Sequence, residues 1–362
     1  MQRIFNFSAG PATLPLPVLH QVQEELVNFR GQGMSLMEMS HRSKTFDEVL
    51  NEAASLILDI MGFSDDYQVV FMQGGATGQF AAVPLNLSVD GKVGEYVDSG
   101  SWAIKAYKEA VQLGKPARVV ASSKSSNHNH IPTDFKAGSD AAYLHICSNN
   151  TIFGTQFQDY PDTGDVPLIA DMSSDLYCRR FDPKKFALIY AGAQKNAGPA
   201  GVTITIIRKD LLDRCPSNIP TVFNYKTIAE GNSMYNTPPT FGIYMVGLVA
   251  KWLQEEVGGL ANMYQRNRDK AKLLYDVLDA SPDFYQGHAQ VSDRSLMNVT
   301  FRLPSDELTK EFIEEAAKHQ LDSLGGHRSV GGIRASIYNA MPIEGVEALR
   351  DLMIDFRNRH AH

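Results

Sequence analysis

With 362 residues, 43% of them hydrophobic and 21% charged, the chain suits two domains, or a large one with a smaller attached, at about 150 residues each, and lies far from the composition of disorder. Its 34 basic and 41 acidic residues leave a net charge of −7, so no broad positive field gathers nucleic acid or anionic lipid, and an anionic ligand must be held by a local cluster. Three scattered cysteines, Cys147, Cys178 and Cys215, an opening stretch (MQRIFNFSAGPATLP) without an apolar core, and no apolar run of membrane-spanning length predict a reduced, cytoplasmic protein that is neither secreted nor membrane-embedded.

Residues 17–29 place Val18, Leu19, Val22, Leu26 and Phe29 at helical spacing, and a second amphipathic helix is predicted from about Thr45 to Met61, with Gly62 as its cap. YQVVFM (67–72) reads as a strand and runs into GGATGQF, a glycine turn that opens a helix. Further strands are predicted at GEYVDSGSW, AAYLHICSN, VPLIADMS, ALIYAGAQ and VTITIIR, several apolar throughout, as in a mostly parallel sheet covered on both faces. A long apolar helix from Phe241 to Val257 ends at Gly258 and Gly259, and a smaller domain is expected beyond it. That domain holds a helix around Asn267 to Leu278, a strand LMNVTFRL, a helix capped by Ser305 and a last helix from near Pro342. The loop SSKSSNHNH (122–130) carries His128 and His130, but no further ligand stands nearby, so it reads as a solvated loop and no metal is expected.

Six features point to chemistry. Lys195 sits among small residues where an apolar strand ends, and a lysine there is either a loop residue facing solvent or a desolvated amine suited to forming an imine with a carbonyl compound, above all pyridoxal phosphate. Asp171 closes the strand VPLIAD, and adjacent strands would bring it beside Lys195 to keep a pyridine nitrogen protonated; the other reading is a helix cap or a loop acid. GGATGQF offers Gly74, Gly75 and the hydroxyl of Thr77 as a phosphate nest, or simply a strand-to-helix turn. Trp102, in a small-residue turn, is either a core residue or a stacking ring, and Thr151 follows a strand end where ligands of open α/β sheets bind. Arg42, Arg328 and Arg334, with His41 and His327 beside the first two, lie in glycine- and serine-rich surroundings; singly each reads as a surface ion-pair residue, together as an anion pocket.

The segments FNFSAGPA, MSHRS, QGGATGQFAAVPLN, SGSW, SNNTIFGTQ, ADMSSD, YAGAQKNAGPAG, YNTPPT and GHRSVGGIRASIYNA occur in order along nearly the whole chain. In this set the chain resembles the phosphoserine aminotransferases, class V members of the fold-type I pyridoxal-phosphate enzymes. The resemblance implies an α/β fold with a large cofactor-binding domain (16–258) built on a mostly parallel seven-stranded sheet, and a smaller α+β domain (259–362, with 1–15). It implies Lys195 as the Schiff-base lysine, Asp171 as the pyridinium partner, Trp102 as the stacking ring, and Ala76 with Thr77 as the phosphate cradle. Thr151 and Gln194 would hold the ring hydroxyl side. Asn236 and Thr237 would reach the cofactor phosphate of the other subunit of a homodimer. His41, Arg42, His327 and Arg328 would receive the distal phosphate or the glutamate side-chain carboxylate, and Arg334 the α-carboxylate.

The reaction so implied is L-glutamate plus 3-phosphohydroxypyruvate to 2-oxoglutarate plus O-phospho-L-serine, with 4-phosphohydroxy-L-threonine as a second possible product in pyridoxine synthesis. Position 77 is Thr where some relatives carry Arg, and position 9 is Ala where some carry Ser; the former would shift anion affinity toward the remaining arginines. The sequence leaves two other readings open: a class V enzyme acting on alanine or serine with glyoxylate, and a nucleotide-binding or catalytically inert α/β protein.

Overall fold

Short apolar runs separated by glycine turns build the centre of the molecule. The computed structural model describes residues 3–360; Met1, Gln2, Ala361 and His362, which the opening-stretch reading and the expected domain division also include, lie outside the described residues. Seven strands form one sheet: β1 (Tyr67–Met72), β2 (Val93–Asp98), β3 (Ala117–Ser122), β4 (Ala141–Cys147), β5 (Leu168–Asp171), β6 (Leu188–Gly192) and β7 (Thr203–Arg208). Across the sheet they run β1-β7-β6-β5-β4-β2-β3, with β7 antiparallel to its two neighbours and every other pair parallel. This is the mostly parallel α/β sheet that the sequence predicts. β4, β5 and β6 are buried along their whole length, which is why they read as unbroken apolar runs. β3, ARVVAS, escapes the sequence pattern because it is a half-buried edge strand with a charged residue and small side chains.

Successive residues of each strand point to opposite faces. Val69, Phe71, Ile189 and Ala191 join one buried cluster with helices α1 (Leu16–Glu25), α2 (Lys44–Met61) and α6 (Thr240–Glu255). Val70, Met72, Leu188 and Tyr190 join another with α3 (Gly75–Leu87), α4 (Ser101–Gln112) and α5 (Tyr225–Glu230). The Ser43 hydroxyl caps α2 by accepting from the Phe46 N–H, and Gly62 ends it in the left-handed conformation. α1 stops at Glu25 and does not run on to Phe29. Asn28 there accepts from the Gly33 N–H at 2.7 Å, a local bond that competes with the helix, while Phe29 still packs edge-on against Tyr244.

Beyond Gly259 the chain forms α7 (Leu260–Asp279), β8 (Asn298–Arg302), α8 (Asp306–Lys318), β9 (Ile333–Ser336) and α9 (Ile343–His360). α7 starts about two turns before the predicted helix around Asn267, because its buried face carries the polar residues Asn267 and Lys270 between Met263 and Leu274, which interrupts the apolar period. A third cluster gathers Leu274, Phe301, Phe312, Val346 and Phe356, and Phe7 of the N-terminal segment packs into it. Phe5–Asn6 pairs in parallel with Leu321–Asp322, and the chain then crosses to the central sheet, where the Ala12 N–H donates to the Gln194 carbonyl. The carboxyl ends of β1, β2, β4, β5 and β6 share one edge of the sheet, where ligands of open α/β sheets bind.

Candidate active site

A cavity of about 370 Å³ opens at that edge. Asp171, the last residue of β5, pairs with Cys147 of β4 on one side and Tyr190 of β6 on the other, so the ladder itself sets its position. It is 5% exposed. One carboxylate oxygen accepts from the Ser173 N–H at 2.9 Å and from the Ser173 hydroxyl at 2.6 Å. The other oxygen has no hydrogen-bond partner among the described residues, and Asp171 lines the cavity. Burial raises its pKa above the usual carboxylate value, while the Ser173 bonds and the charge of Lys195 pull the other way.

Lys195 follows the end of β6 in a tight turn, on the strand adjacent to that of Asp171, as the sequence requires. Its amine donates to the Thr151 hydroxyl at 2.8 Å and lies 5.5 Å from the centre of the Trp102 ring. Desolvation in the cleft lowers its pKa, opposed by Asp171. Gly10 crosses close by: a Cβ built there would lie 3.1 Å from the Lys195 Cγ, so the N-terminal segment needs glycine at this crossing. The solvent-facing reading of Lys195 fails on this geometry.

Trp102 sits in the first turn of α4, not in a turn before the helix as the sequence suggests. Its indole N–H is buried without a partner among the described residues, and the Lys105 ammonium stands 4.2 Å from the ring centre. Gly74 and Gly75, with φ of 92° and 62°, lead from β1 into α3, where Ala76 and Thr77 line the cavity. No acidic residue occupies that first turn, so the free N–H groups and positive end of α3 form an anion cradle. Arg334 lies on β9, a strand and not the flexible glycine-rich backbone that the sequence suggests. Its guanidinium makes no side-chain hydrogen bond or ion pair within the described residues, and burial lowers its pKa. His327 also lines the cavity, bonded to the Ser329 hydroxyl at 2.7 Å; burial, then Arg334 and Arg328, keep its pKa below the usual histidine value.

The structure therefore brings together Ala76, Thr77, Trp102, Thr151, Asp171, Gln194, Lys195, His327 and Arg334. His41, Arg42, Arg328, Asn236 and Thr237 do not line this cavity. Arg42 and Arg328 are exposed. Asn236 borders a neighbouring cavity of about 260 Å³ behind Gly74, and the Thr237 carbonyl accepts from Gln73 at 3.2 Å. His128 packs on Phe153 and His130 bonds Ser126, both away from the cleft.

Sequence reasoning missed Cys147, Asn149, Ser173 and Ser174, which also line the cleft. Asn149 donates to Ser174 and to Asn298, both at 2.8 Å, and accepts from Ser295 at 2.5 Å, which ties the cleft wall to β8. Small polar residues at strand ends are too common to flag, although Ser173 had a signal in its place two residues after Asp171. A larger cavity of about 560 Å³, near Trp252 and Lys270, contains none of the predicted site residues. The cleft suits a flat ring with an anionic tail and a carbon open to an amine, next to a site for a carboxylate.

Comparison with known proteins agrees with this geometry. Residues 4–349 match the family model for aminotransferase class V. The chain is 58% identical to a phosphoserine aminotransferase of Desulfatibacillum aliphaticivorans, over 99% of each chain. It superposes on phosphoserine aminotransferase from Bacillus circulans subsp. alkalophilus with a TM-score of 0.97 at 51% identity, over 99% of each chain. A pyridoxal-phosphate-bound phosphoserine aminotransferase from Trichomonas vaginalis matches with a TM-score of 0.93 at 39% identity, covering 97% of this chain and 100% of that one.

Proposed function

The chain belongs to the class-V aminotransferases, and on that footing we propose that it transfers an amino group reversibly between L-glutamate and 3-phosphohydroxypyruvate, giving O-phospho-L-serine and 2-oxoglutarate, with pyridoxal 5'-phosphate as cofactor. The observation that carries this reading is the meeting of a desolvated amine, a buried carboxylate, a helix start and an arginine with no ion-pair partner among the described residues around one cavity, in a chain more than half identical to named phosphoserine aminotransferases.

The residues fit that cofactor. Lys195 would hold its aldehyde carbon, Asp171 its ring nitrogen, Trp102 a ring face, Thr151 and Gln194 its hydroxyl side, and the start of α3 at Ala76 and Thr77 its phosphate. When bound, the cofactor supplies an electron sink that stores the amino group between two half-reactions. Lys195, with its pKa lowered, is an amine that can accept the proton from the substrate Cα and return it to the product, and Thr151 fixes where that amine stands. Asp171, turned toward the cavity by Ser173, holds negative charge where a ring cation needs it. Arg334 presents two donors to the α-carboxylate shared by both substrates. His327, with His41, Arg42 and Arg328, would take the distal phosphate or the second carboxylate.

The last three of these, and Asn236 and Thr237, stand outside the cleft of their own chain, which supports a homodimer with shared sites. Exposed Val27, Met34 and Met37 near α1 supply apolar surface for such a contact. Residues 16–258 would hold the cofactor, and 259–362 with 1–15 would form the smaller domain, a division supported by two largely separate buried clusters, although Leu260 and Met263 at the start of α7 pack into the first. The free cysteines suit a reducing cytoplasm.

The test is the visible spectrum of the purified protein before and after O-phospho-L-serine is added. A yellow band that bleaches is expected. A band indifferent to phosphoserine would remove the substrate from this reading, and no band after addition of pyridoxal phosphate would remove the reading altogether.

A further inference from the structure

Lys270 projects from α7 into the interior and is 2% exposed. Its ammonium has no carboxylate within ion-pair distance among the described residues. Four backbone carbonyls surround it instead: Ile337 at 3.0 Å, Tyr338 at 2.6 Å, Asn339 at 3.5 Å and Met341 at 3.2 Å. Burying an ammonium without a carboxylate is costly, and an apolar side chain of similar length would avoid that cost only by leaving these carbonyls without their donor. What the ammonium provides is a point toward which four carbonyls turn, fixing the backbone between β9 and α9. Burial and the charge of Arg266 lower its pKa to about 7, with the Cys178 thiol opposing.

The fixed segment leads directly to the cleft. The Asn339 N–H donates to the Asn196 side-chain oxygen at 2.9 Å, and Asn196 is the residue after Lys195. Asn267, on α7 with Lys270, donates to the Asn339 side chain at 2.7 Å, and the Asn339 amide donates to the Tyr177 carbonyl at 3.1 Å. The Tyr338 hydroxyl donates to the carbonyl of Ala9, which lines the cavity.

We propose that Lys270 is a positioning residue for Lys195: by gathering the carbonyls of Ile337, Tyr338, Asn339 and Met341 it fixes the Asn339 N–H, which holds Asn196 and through it the turn bearing the amine. The proposal rests on the aminotransferase reading, and wild-type protein run in parallel separates the two, because absence of the visible band or of turnover in the wild type defeats that reading whatever the variants do.

In the cofactor-loaded protein, Lys270→Met is expected to keep the wild-type circular dichroism spectrum, to lower kcat by roughly tenfold or more as the amine is displaced, and to change KM far less. The pH midpoint of the visible lysine–cofactor band should also move. Lys270→Arg, which keeps a cation among the carbonyls, should recover part of kcat and of the midpoint. A Lys270→Met protein that loses thermal stability but keeps both kcat and the midpoint overturns the proposal. Should Lys270→Met not fold, Asn196→Ala tests the far end of the same connection with Lys270 in place: reduced kcat with a moved midpoint supports the proposal, and wild-type values for both overturn it.

Discussion

Arg334 differs from the other candidate arginines in one physical respect. Arg42 and Arg328 stand in solvent, whereas Arg334 is partly desolvated on a strand at the cleft wall and is left without an anion among the described residues. A guanidinium held this way gains most when a carboxylate arrives. Arg334→Ala should therefore raise KM for glutamate and for phosphoserine alike, with kcat/KM falling roughly 10- to 100-fold for each. Arg334→Lys should restore only part of that, since an ammonium lacks the planar fork. Steady-state kinetics with both amino acids checks this, and a loss confined to one substrate would reassign the residue. Lys195 and Asp171 stood out in the sequence because a charged residue at the end of an apolar strand is costly unless it is used, yet the residues alone left a loop lysine and a helix cap open; the structure places both at the cleft. Ser173 and Asn149 did not stand out, since the bonds that make them matter come from β5 and β8 meeting at the cleft.

At the scale of elements, what the sequence hid was long-range pairing. The α2 stripe was legible to within a residue because its apolar period is unbroken. The start of α7 was not, because two of its buried positions are polar and their donors are met by chain far away, the Asn267 amide by Asn339 and Cys178 and the Lys270 ammonium by the turn after β9. The contact between α2 and α6 has the same character. Gly247 reads as a weak point of an apolar helix, yet a Cβ there would stand 3.2 Å from the Cβ of Ala53, so the missing side chain lets the two helices approach. Gly247→Leu should cost about 1–3 kcal/mol through overpacking, even though leucine is the better helix former. Urea unfolding should show a lower midpoint with little change in slope. A midpoint equal to the parent's would mean that α6 can shift away from α2 without loss.

For the whole molecule, the response to pH depends on titratable groups buried in the sheet and in the turn that leaves it. His145 of β4 is 1% exposed, between the rings of Tyr96 and Tyr190, and shares a 2.8 Å hydrogen bond with the Tyr190 hydroxyl. Burial lowers its pKa to about 3. Between the unfolded value near 6.5 and that folded value, the unfolded chain binds a proton that the native chain refuses, so stability falls as pH falls through this window. Asp175 acts in the opposite sense. Burial raises its pKa to about 6 despite its bonds from Ser148 and Gln156, so the native state holds the extra proton between 3.8 and 6 and gains stability as pH falls there. The two largely offset one another over that range, which hides the histidine in a single acid-denaturation curve. A pair of curves reveals it. His145→Phe keeps an aromatic ring between the tyrosines and leaves the Tyr190 hydroxyl unpaired, so it should lose about 1–3 kcal/mol near neutral pH. Its stability should then decline less than the parent's between pH 6.5 and 4, with Asp175 acting equally in both proteins. Parallel curves over that range would show that His145 already takes up its proton in the folded sheet, and the assignment of the acid-sensitive group would have to move elsewhere.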